Sequence, residues 1–456
     1  MEAEETEGTP WVDLAASAER GDASEVADLL EEMSPADTAR AFANLREEPR
    51  HKVLALLRPE AACRVIEALP EVQAADLIEG LEPDRAASIA SELRSDEQAD
   101  LLSLIPEEHA EAILGCMEPE AARIARRLAA YPPDLAGGLM VAEYLRYPAH
   151  ARVGDVLDDL RANTERYRDY DVQYGYVTAR DGRLVGVLAM RDLLLADNHV
   201  PLRNLMIEKP LRVSADLPLD ELRDVFEEHA FVGVPVVAER DVLVGVVRRA
   251  DVQEALEDRS ESDHLKSQGI VGGEELRSMP VWSRSGRRLS WLSVNVVLNL
   301  VAASVIALHQ ETLQAAIALA VFLPIVSDMS GCSGNQAVAV SMRELTLGVI
   351  RPVDALRVWF KEMSVGVING AALGVLIAVA AWLWKGDALL GAVVGAALAL
   401  NTLVAVSLGG VVPLALKRMR IDPALASGPV LTTVTDMCGF ALLLGFAAAY
   451  LPATGA

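Results

Sequence analysis

Two acids stand inside apolar runs long enough to cross a bilayer, and they are the residues most able to do chemistry. In DPALASGPVLTTVTDMCGFALLLGFAAAYL (422–451), Asp436 is the only charge after Asp422. A carboxylate at mid-membrane depth costs roughly 2.5–3.5 kcal/mol on insertion scales, so it marks an ion pathway or an acid hidden at a helix contact. On a helix, Gly428, Thr432, Thr435, Asp436 and Gly439 fall on one face. The second acid, Asp328, lies in FLPIVSDMSGCSGNQAVAVSMREL with Pro324, Gly331, Gly334, Asn335 and Gln336. That composition lets backbones approach closely and exposes carbonyls and amides to an aqueous path. Tight helix packing alone accounts equally well for Gly331 and Gly439.

A third group of acids is soluble. Asp251, Glu254, Glu257, Asp258, Glu261 and Asp263 run through DVQEALEDRSESDHLKSQG at spacings of mostly three and four. On a helix they form one broad face that repels itself unless a cation or a basic partner lies opposite. A solvated face would show the same pattern. Their place between a soluble region and the apolar region suggests that divalent ions bound there could change how domains approach each other.

The elements that must position these residues follow from hydropathy. Five apolar spans are expected at about 289–308, 313–338, 358–384, 387–415 and 423–450, each long enough to cross hydrocarbon with tilt. Arg284, Arg287 and Arg288 precede the first, Arg343, Arg351, Arg357 and Lys361 surround the second loop, and Lys417, Arg418 and Arg420 precede the fifth. The opposite loops carry only Lys385. The positive-inside rule then predicts a cytoplasmic N-terminus, five crossings and an outside C-terminus in a plasma (inner) membrane.

The formal charge of −25 is uneven: ten of the 41 Lys/Arg and eight of the 66 Asp/Glu lie from Arg287 onward, so the preceding part carries about −27. An acidic surface of that size repels nucleic acid and attracts cations. Cys63, Cys116, Cys332 and Cys438 form no CxxC pair and suggest neither a zinc site nor a disulfide framework. The N-terminal MEAEETEGTP has no apolar core, so no signal peptide is expected. Proline recurs at Pro35, Pro59, Pro83 and Pro106, at spacings of 24, 24 and 23, each followed by acids and an Ala/Leu/Ile pattern. This predicts a stack of short helices over 1–134, each starting with proline in its first turn.

Residues 135–259 contain a duplication. Leu139-Met140 and Leu205-Met206 open two copies, and GRLVGVLAMRDLL (182–194) echoes DVLVGVVRRADVQ (241–253), pairing Gly186 with Gly245 and Asp192 with Asp251. Each copy alternates short apolar strands with helical patterns, the sign of small α/β units packed together. The pair resembles tandem CBS domains. That resemblance implies ATP or another adenine nucleotide as a ligand, with Asp192 and Asp251 as ribose contacts. The family's phosphate-binding hydroxyl positions hold Ala189 and Arg248 here.

Nearly the whole chain resembles the MgtE-type magnesium transporters and channels, in the order 1–134 acidic helical repeat, 135–259 CBS pair, 260–286 connecting helix and 287–456 membrane domain. The specific stretches are SGCSGNQ (330–336) and DPALASGPVLTTVTD (422–436). The fold class is thus multidomain: all-α repeat, α/β CBS pair and all-α membrane domain with five transmembrane helices. The resemblance implies a homodimer whose pore is lined by the second and fifth membrane helices, with a Mg²⁺ site at Asp436. It implies too that Mg²⁺ among the cytosolic acids, including Asp251, Glu254 and Asp263, holds the pore shut. Asp258 and Glu261 complete the expected sensing face, and Asp328 joins Asp436 as a pore candidate. Gly331, Gly334, Asn335, Gln336, Gly428, Thr432 and Thr435 are expected to line the path. Departures from the family pattern are Cys332 and Gly428, where members place Asn, and Arg259 and Ser262, where some place acids. Rival readings are a pathway for Co²⁺ or Mn²⁺, a proton-coupled exchanger, and a membrane sensor that moves no ion. No nucleophile with its base and no phosphate-binding loop points to an enzyme.

Overall fold

The structure is a computed structural model that describes residues 10–168, 170, 173–273, 275–277 and 279–450. The expectation for the N-terminal segment falls largely on residues outside these bounds. The chain folds as two compact units, Met1–Asp258 and Arg259–Ala456.

The first unit begins with short helices: α1 Pro10–Arg20, α2 Ala23–Glu31, α3 Pro35–Asn44, α4 Glu47–Leu56, α5 Pro59–Glu67, α6 Glu71–Glu79, α7 Pro83–Ala90, α8 Ser95–Leu104, α9 Glu107–Cys116 and α10 Pro119–Ala129. Pro35, Pro59 and Pro83 open helices in their first turn. There the missing N–H is one of those left unpaired anyway. Pro106 sits one residue outside, as the N-cap of α9, and Pro119 supplies a further first-turn proline for α10. Helices stack two apart, α5 on α7, α6 on α8, α7 on α9 and α8 on α10. Such a stack has one continuous core, here built on Leu14, Phe42, Leu54, Leu77 and Ile89.

The duplicated region forms two small sheets. In the first, β1 (Leu145–Pro148) runs parallel to β2 (Tyr174–Thr178), which pairs antiparallel with β3 (Leu184–Ala189) and β3 with β4 (Ile207–Glu208). In the second, β5 (Val213–Ser214) is parallel to β6 (Gly233–Val237), and β6 pairs antiparallel with β7 (Leu243–Arg248). Helices α11 (Val153–Ala162), α12 (Met190–Leu195) and α13 (Leu219–Glu228) accompany them. The two copies exchange their opening segments. A Cβ on Gly245 would lie 2.6 Å from Cγ of Met140, and one on Gly186 would lie 2.8 Å from Cγ of Met206. Val141 bridges β7 through Val246, while Ile207 pairs with Val187 of β3. Each copy therefore needs glycine where the other's methionine lodges.

Helix α14 (Arg249–Ser267) leads out of the second copy. Within the second unit, the segment after it is anchored by Glu275, whose nearly enclosed carboxylate accepts from Arg284 at 3.2 Å and from Arg288. Those arginines belong to α15 (Val281–Leu308), which starts eight residues before the expected first span. The second span departs from a continuous 313–338 helix. A short α16 (Gln310–Ala315) ends at Ala316, which has φ −134° and ψ 71°, and a 3₁₀ turn over Ile317–Val321 follows. Helix α17 (Leu323–Thr346) then begins with Pro324 in its first turn and runs eight residues past the expected end. Proline cannot continue a helix from the turn before it, which places the break there. Helices α18 (Ala355–Lys385), α19 (Ala388–Arg418) and α20 (Pro423–Tyr450) complete five segments long and apolar enough to span a membrane.

Helix α19 is the centre of this unit and packs on α17, α18 and α20. Its contact with α18 is a ladder of small residues. A Cβ on Gly374 would come within 2.7 Å of the Gly395 carbonyl oxygen, and one on Gly391 within 2.6 Å of the Ala378 carbonyl oxygen. Without an apolar-to-water gain between helices in lipid, such backbone approach supplies the packing.

Candidate cation sites

The membrane site is built by α17 and α20. The Ser327 hydroxyl donates to Oδ1 of Asp436, so the half-buried acid in the middle of α20 is fixed from the neighbouring helix. Asp328, the next residue, lies within electrostatic range of Asp436. Its own side chain is exposed, together with Cys332, Asn335 and Gln336, and at helical spacing these form a polar stripe down the outer side of α17. In lipid an uncovered stripe of this kind is costly, so the stripe is made to face water or a partner surface.

The other expected lining residues divide. Gly428 and Thr432 are partly exposed, with open space beside Gly428 where a Cβ would stand. Gly331 is buried, also with no atom of another helix within contact distance of that position. Gly334 lies at a helix crossing, where a Cβ would meet Leu431 at 2.8 Å and the Ala405 carbonyl oxygen at 3.0 Å. Thr435 is fully buried and donates to the Thr432 carbonyl at 2.9 Å. In this conformation Gly334 sits in a helix crossing, and Thr435 is buried with its hydroxyl bonded within α20.

Sequence reasoning passed over Ser327 and Asn401. Asn401 is wholly buried on α19, its Nδ2 is 3.4 Å from the Val326 carbonyl, and its Oδ1 has no protein partner. It packs over Gly439, where a Cβ would lie 2.6 Å from Nδ2. A lone amide in the apolar run 388–416 was the available signal, and the adjacency of Ser327 to Asp328 was the other.

The soluble site joins α8 to the first turn of α14. The Ser95 hydroxyl donates to Glu143 at 2.6 Å and accepts from the Ala142 N–H at 2.8 Å, which fixes the start of α8 on the paired α/β modules. This brings Asp96 near Asp251, both buried. Arg248 holds Asp251 with two hydrogen bonds, at 2.6 and 2.8 Å, and its Nη2 stands 3.6 Å from Asp96. Arg94 lies 3.6 Å from each of the two acids and pairs with Glu97 at 2.7 Å. Burial pushes Asp96 up to about 7, with the charges of Asp251 and Glu97 adding to the rise and Arg94 opposing it. Asp100, one turn on, is also pushed to about 7 by burial and by Glu71, Asp96 and Glu97. Asp251 reaches about 6 through burial, moderated by Arg94. Burial is the main cause of all three shifts, and at Asp96 and Asp100 neighbouring carboxylates add to it.

Of the expected sensing acids, Asp251 alone is buried in this cluster. Glu254 is exposed and raised by partial burial and by Asp258, itself exposed. Glu261 is exposed. Asp263 is half buried at the far end of α14, 3.9 Å from Lys266, which also reaches Asp422 at 3.3 Å at the start of α20. Burial raises Asp263, with Lys266 opposing and Asp422 reinforcing. Asp192 is partly exposed beside Arg191 at 3.3 Å. Among the described residues no three His, Cys, Asp or Glu side chains converge as a metal-ligand set. The buried Oδ1 of Asp96 has no protein partner, and the donors around it are carboxylate oxygens, the type that Mg²⁺ takes.

Five helices long and apolar enough to span a membrane, two of them joined through Ser327 and Asp436, and an N-terminal region of helical repeat and α/β modules are the architecture of a multi-pass membrane protein with a soluble N-terminal region. Three family profiles match: the divalent cation transporter MgtE over residues 323–446, the MgtE intracellular N domain over 33–134 and the CBS domain over 202–258. The magnesium transporter MgtE of Bacillus subtilis is 32% identical over 74% of this chain and 74% of its own length, and that of Thermus thermophilus is 32% identical over 97% and 98%. A solved structure of the cytosolic domain of the Mg²⁺ channel MgtE in complex with ATP is 32% identical, covering 54% of this chain and 99% of that one, with a TM-score of 0.48. The chain belongs to the MgtE family of magnesium transporters, and its paired α/β modules are CBS domains.

Proposed function

We propose that this chain forms a passive Mg²⁺ channel that admits the ion into the cytoplasm and is closed by cytosolic Mg²⁺. The observation that carries the reading is Asp436, held by Ser327 beside a polar stripe on α17 that the chain does not itself cover. Two copies facing each other across α17 and α20 would cover both stripes and set two Asp436 carboxylates around one path, with Asp328, Asn335, Gln336, Gly331, Gly428 and Thr432 along it. Gly334 would take part through the helix crossing it permits, and Thr435 from its buried place behind Asp436. Mg²⁺ gives up water reluctantly, so a pair of carboxylates suits a largely hydrated ion bound through its waters. Inward movement of a divalent ion gains about 4.6 kcal/mol per 100 mV, so no coupled energy source is required.

Closure is assigned to the soluble acids. A divalent ion between Asp96 and Asp251 would replace protons in the cluster, and further ions would be attracted by Glu254, Asp258 and Glu261 along α14. At the other end of that helix, Asp263 and Lys266 act on Asp422 at the start of α20 and give the helix a direct hold on the path. For the CBS pair we assign an adenine nucleotide to the cleft lined by Arg94, Tyr174, Tyr176, Gly233 and Arg248. Arg248 already occupies Asp251, which leaves Asp192 as the freer ribose contact.

Mg²⁺ flux into vesicles containing the purified protein, with internal Mg²⁺ varied, tests both parts. Flux that follows the membrane potential and falls as internal Mg²⁺ rises is expected. Flux driven only by a proton gradient, a preference for Co²⁺ or Mn²⁺, or no flux would replace this reading with one of its rivals.

A further inference from the structure

The first unit carries a groove of opposite chemistry to the acid cluster. Arg127 of α10, Arg146 of β1, His150 just after it and Arg166 in the loop after α11 converge there, with Tyr144 and Tyr170 in the wall. Arginines elsewhere in this acidic unit are commonly matched to carboxylates, as Arg126 is to Glu111 and Arg40 to Asp37, each at 2.8 Å. In the groove Arg123 is so matched, to Glu120 at 2.6 Å, while the matching fails at three other arginines. Arg127 donates to the Val244 carbonyl at 3.3 Å, and its buried Nε has no acceptor. Neither Arg146 nor Arg166 has a carboxylate partner among the described residues, and Arg166 instead lies over the Tyr167 ring at 5.7 Å.

The groove's own acids are taken. Asp159 accepts from the hydroxyls of Tyr147 at 2.9 Å and Tyr167 at 3.0 Å and from Asn163 at 2.8 Å. Asp155 accepts the Arg152 N–H at 2.8 Å at the start of α11, and Glu120 is held by Arg123. What remains is a set of guanidinium groups around a concave space, with no carboxylate acceptor for Arg127, Arg146 or Arg166 among the described residues.

We propose that this groove binds a small phosphate-bearing anion, with Arg127, Arg146 and Arg166 on its oxygens and His150 as a further donor. Three planar forks suit the several oxygens and multiple charge of a phosphate or diphosphate better than a single carboxylate. The tyrosines offer a face for an attached ring. The inference does not depend on the transport reading.

The test is isothermal titration calorimetry of the full-length protein in detergent, in Mg²⁺-free buffer with chelator, using inorganic pyrophosphate. One pyrophosphate per chain is expected, weakened at least about tenfold by Arg146→Gln and by Arg166→Gln and unchanged by Tyr174→Ala in the other cleft. Arg127 is left intact because it ties α10 to Val244. Melting temperatures of both arginine variants should match that of the parent, so that lost binding reports the site and not the fold. ADP titrated into the Tyr174→Ala protein separates sources: a gain of about tenfold over pyrophosphate assigns a nucleotide, and equal affinity an inorganic polyanion. No pyrophosphate binding up to about 10 mM, or binding that survives both arginine substitutions, overturns the proposal.

Discussion

Asp96 and Asp251 share the Arg248 guanidinium unequally: it is bonded to Asp251 at 2.6 Å and stands 3.6 Å from Asp96. Neither arginine of the cluster makes a hydrogen bond to the Asp96 carboxylate, and its buried Oδ1 is left without a partner. The cluster is therefore short of positive charge in a place where water is scarce.

This shortage predicts a pH dependence. Asp96 and Asp100 titrate near 7 and Asp251 near 6 in the fold, against about 3.9 in an unfolded chain. The folded state then binds more protons than the unfolded one. The stabilisation is complete below about pH 4 and is lost as pH rises through 6 to 7. Thermal unfolding without Mg²⁺ should show a falling melting temperature from about pH 4 to 7, and Mg²⁺ should restore it at the higher pH and have little effect at the lower. The double variant Asp96→Asn, Asp251→Asn should flatten this slope. An equal Mg²⁺ effect at both pH values would separate the acids from the ion.

Removing the acids singly should shift gating. Asp96→Asn and Asp251→Asn should each raise the cytosolic Mg²⁺ that halves the current by about tenfold, corresponding to about 1.4 kcal/mol of coupling. Patch recordings with internal Mg²⁺ stepped measure this directly. Neutralising Asp251, Glu254, Asp258 and Glu261 together should leave the channel open at high Mg²⁺. Unchanged inhibition would remove this face from the gate.

At the membrane site, Asp436→Asn should cut Mg²⁺ uptake at least about tenfold with normal insertion, because the carboxylate charge acts on the ion directly. Ser327→Ala should keep the fold and lower uptake less, since it frees the carboxylate without removing it. Mg²⁺-dependent growth, with membrane expression checked, reads both. Full growth of the Asp436→Asn strain would move the ion path elsewhere.

The small-residue ladder predicts a packing defect. Gly374→Leu places a large side chain where the Gly395 carbonyl already lies within 2.7 Å of a Cβ position. Overpacking of about 1–3 kcal/mol or more should appear as a lower melting temperature and poor yield of folded protein. Gly428→Ala, with open space beside it, should fold normally.

The elements were readable from sequence because their signals are local. Proline spacing located the helical repeat, duplication located the CBS pair, and hydropathy located five spans. The break before α17 was missed because residues 315–323 are uniformly apolar, and only Pro324 hints that the helix restarts. The site was less legible. Asp436 announces itself by its cost in lipid, whereas Ser327 and Asn401 matter through contacts between helices that spacing alone does not encode. Asp96 and Asp100 looked like other surface acids on a short helix. What singles out Asp96 is burial against Asp251, about 150 positions away in the chain, arranged by the Ser95 contacts with Ala142 and Glu143.

The exchange of methionines between the CBS copies has a bearing on their origin. A lone copy would carry a vacant socket over its glycine and an opening segment with nowhere to lodge. Two identical copies could satisfy both needs by trading segments across a twofold axis. The present pair keeps that trade within one chain, with Met140 on Gly245 and Met206 on Gly186. Gene duplication could thus have converted an intermolecular handshake into an intramolecular one without a new contact, and neither half should fold faithfully when expressed alone.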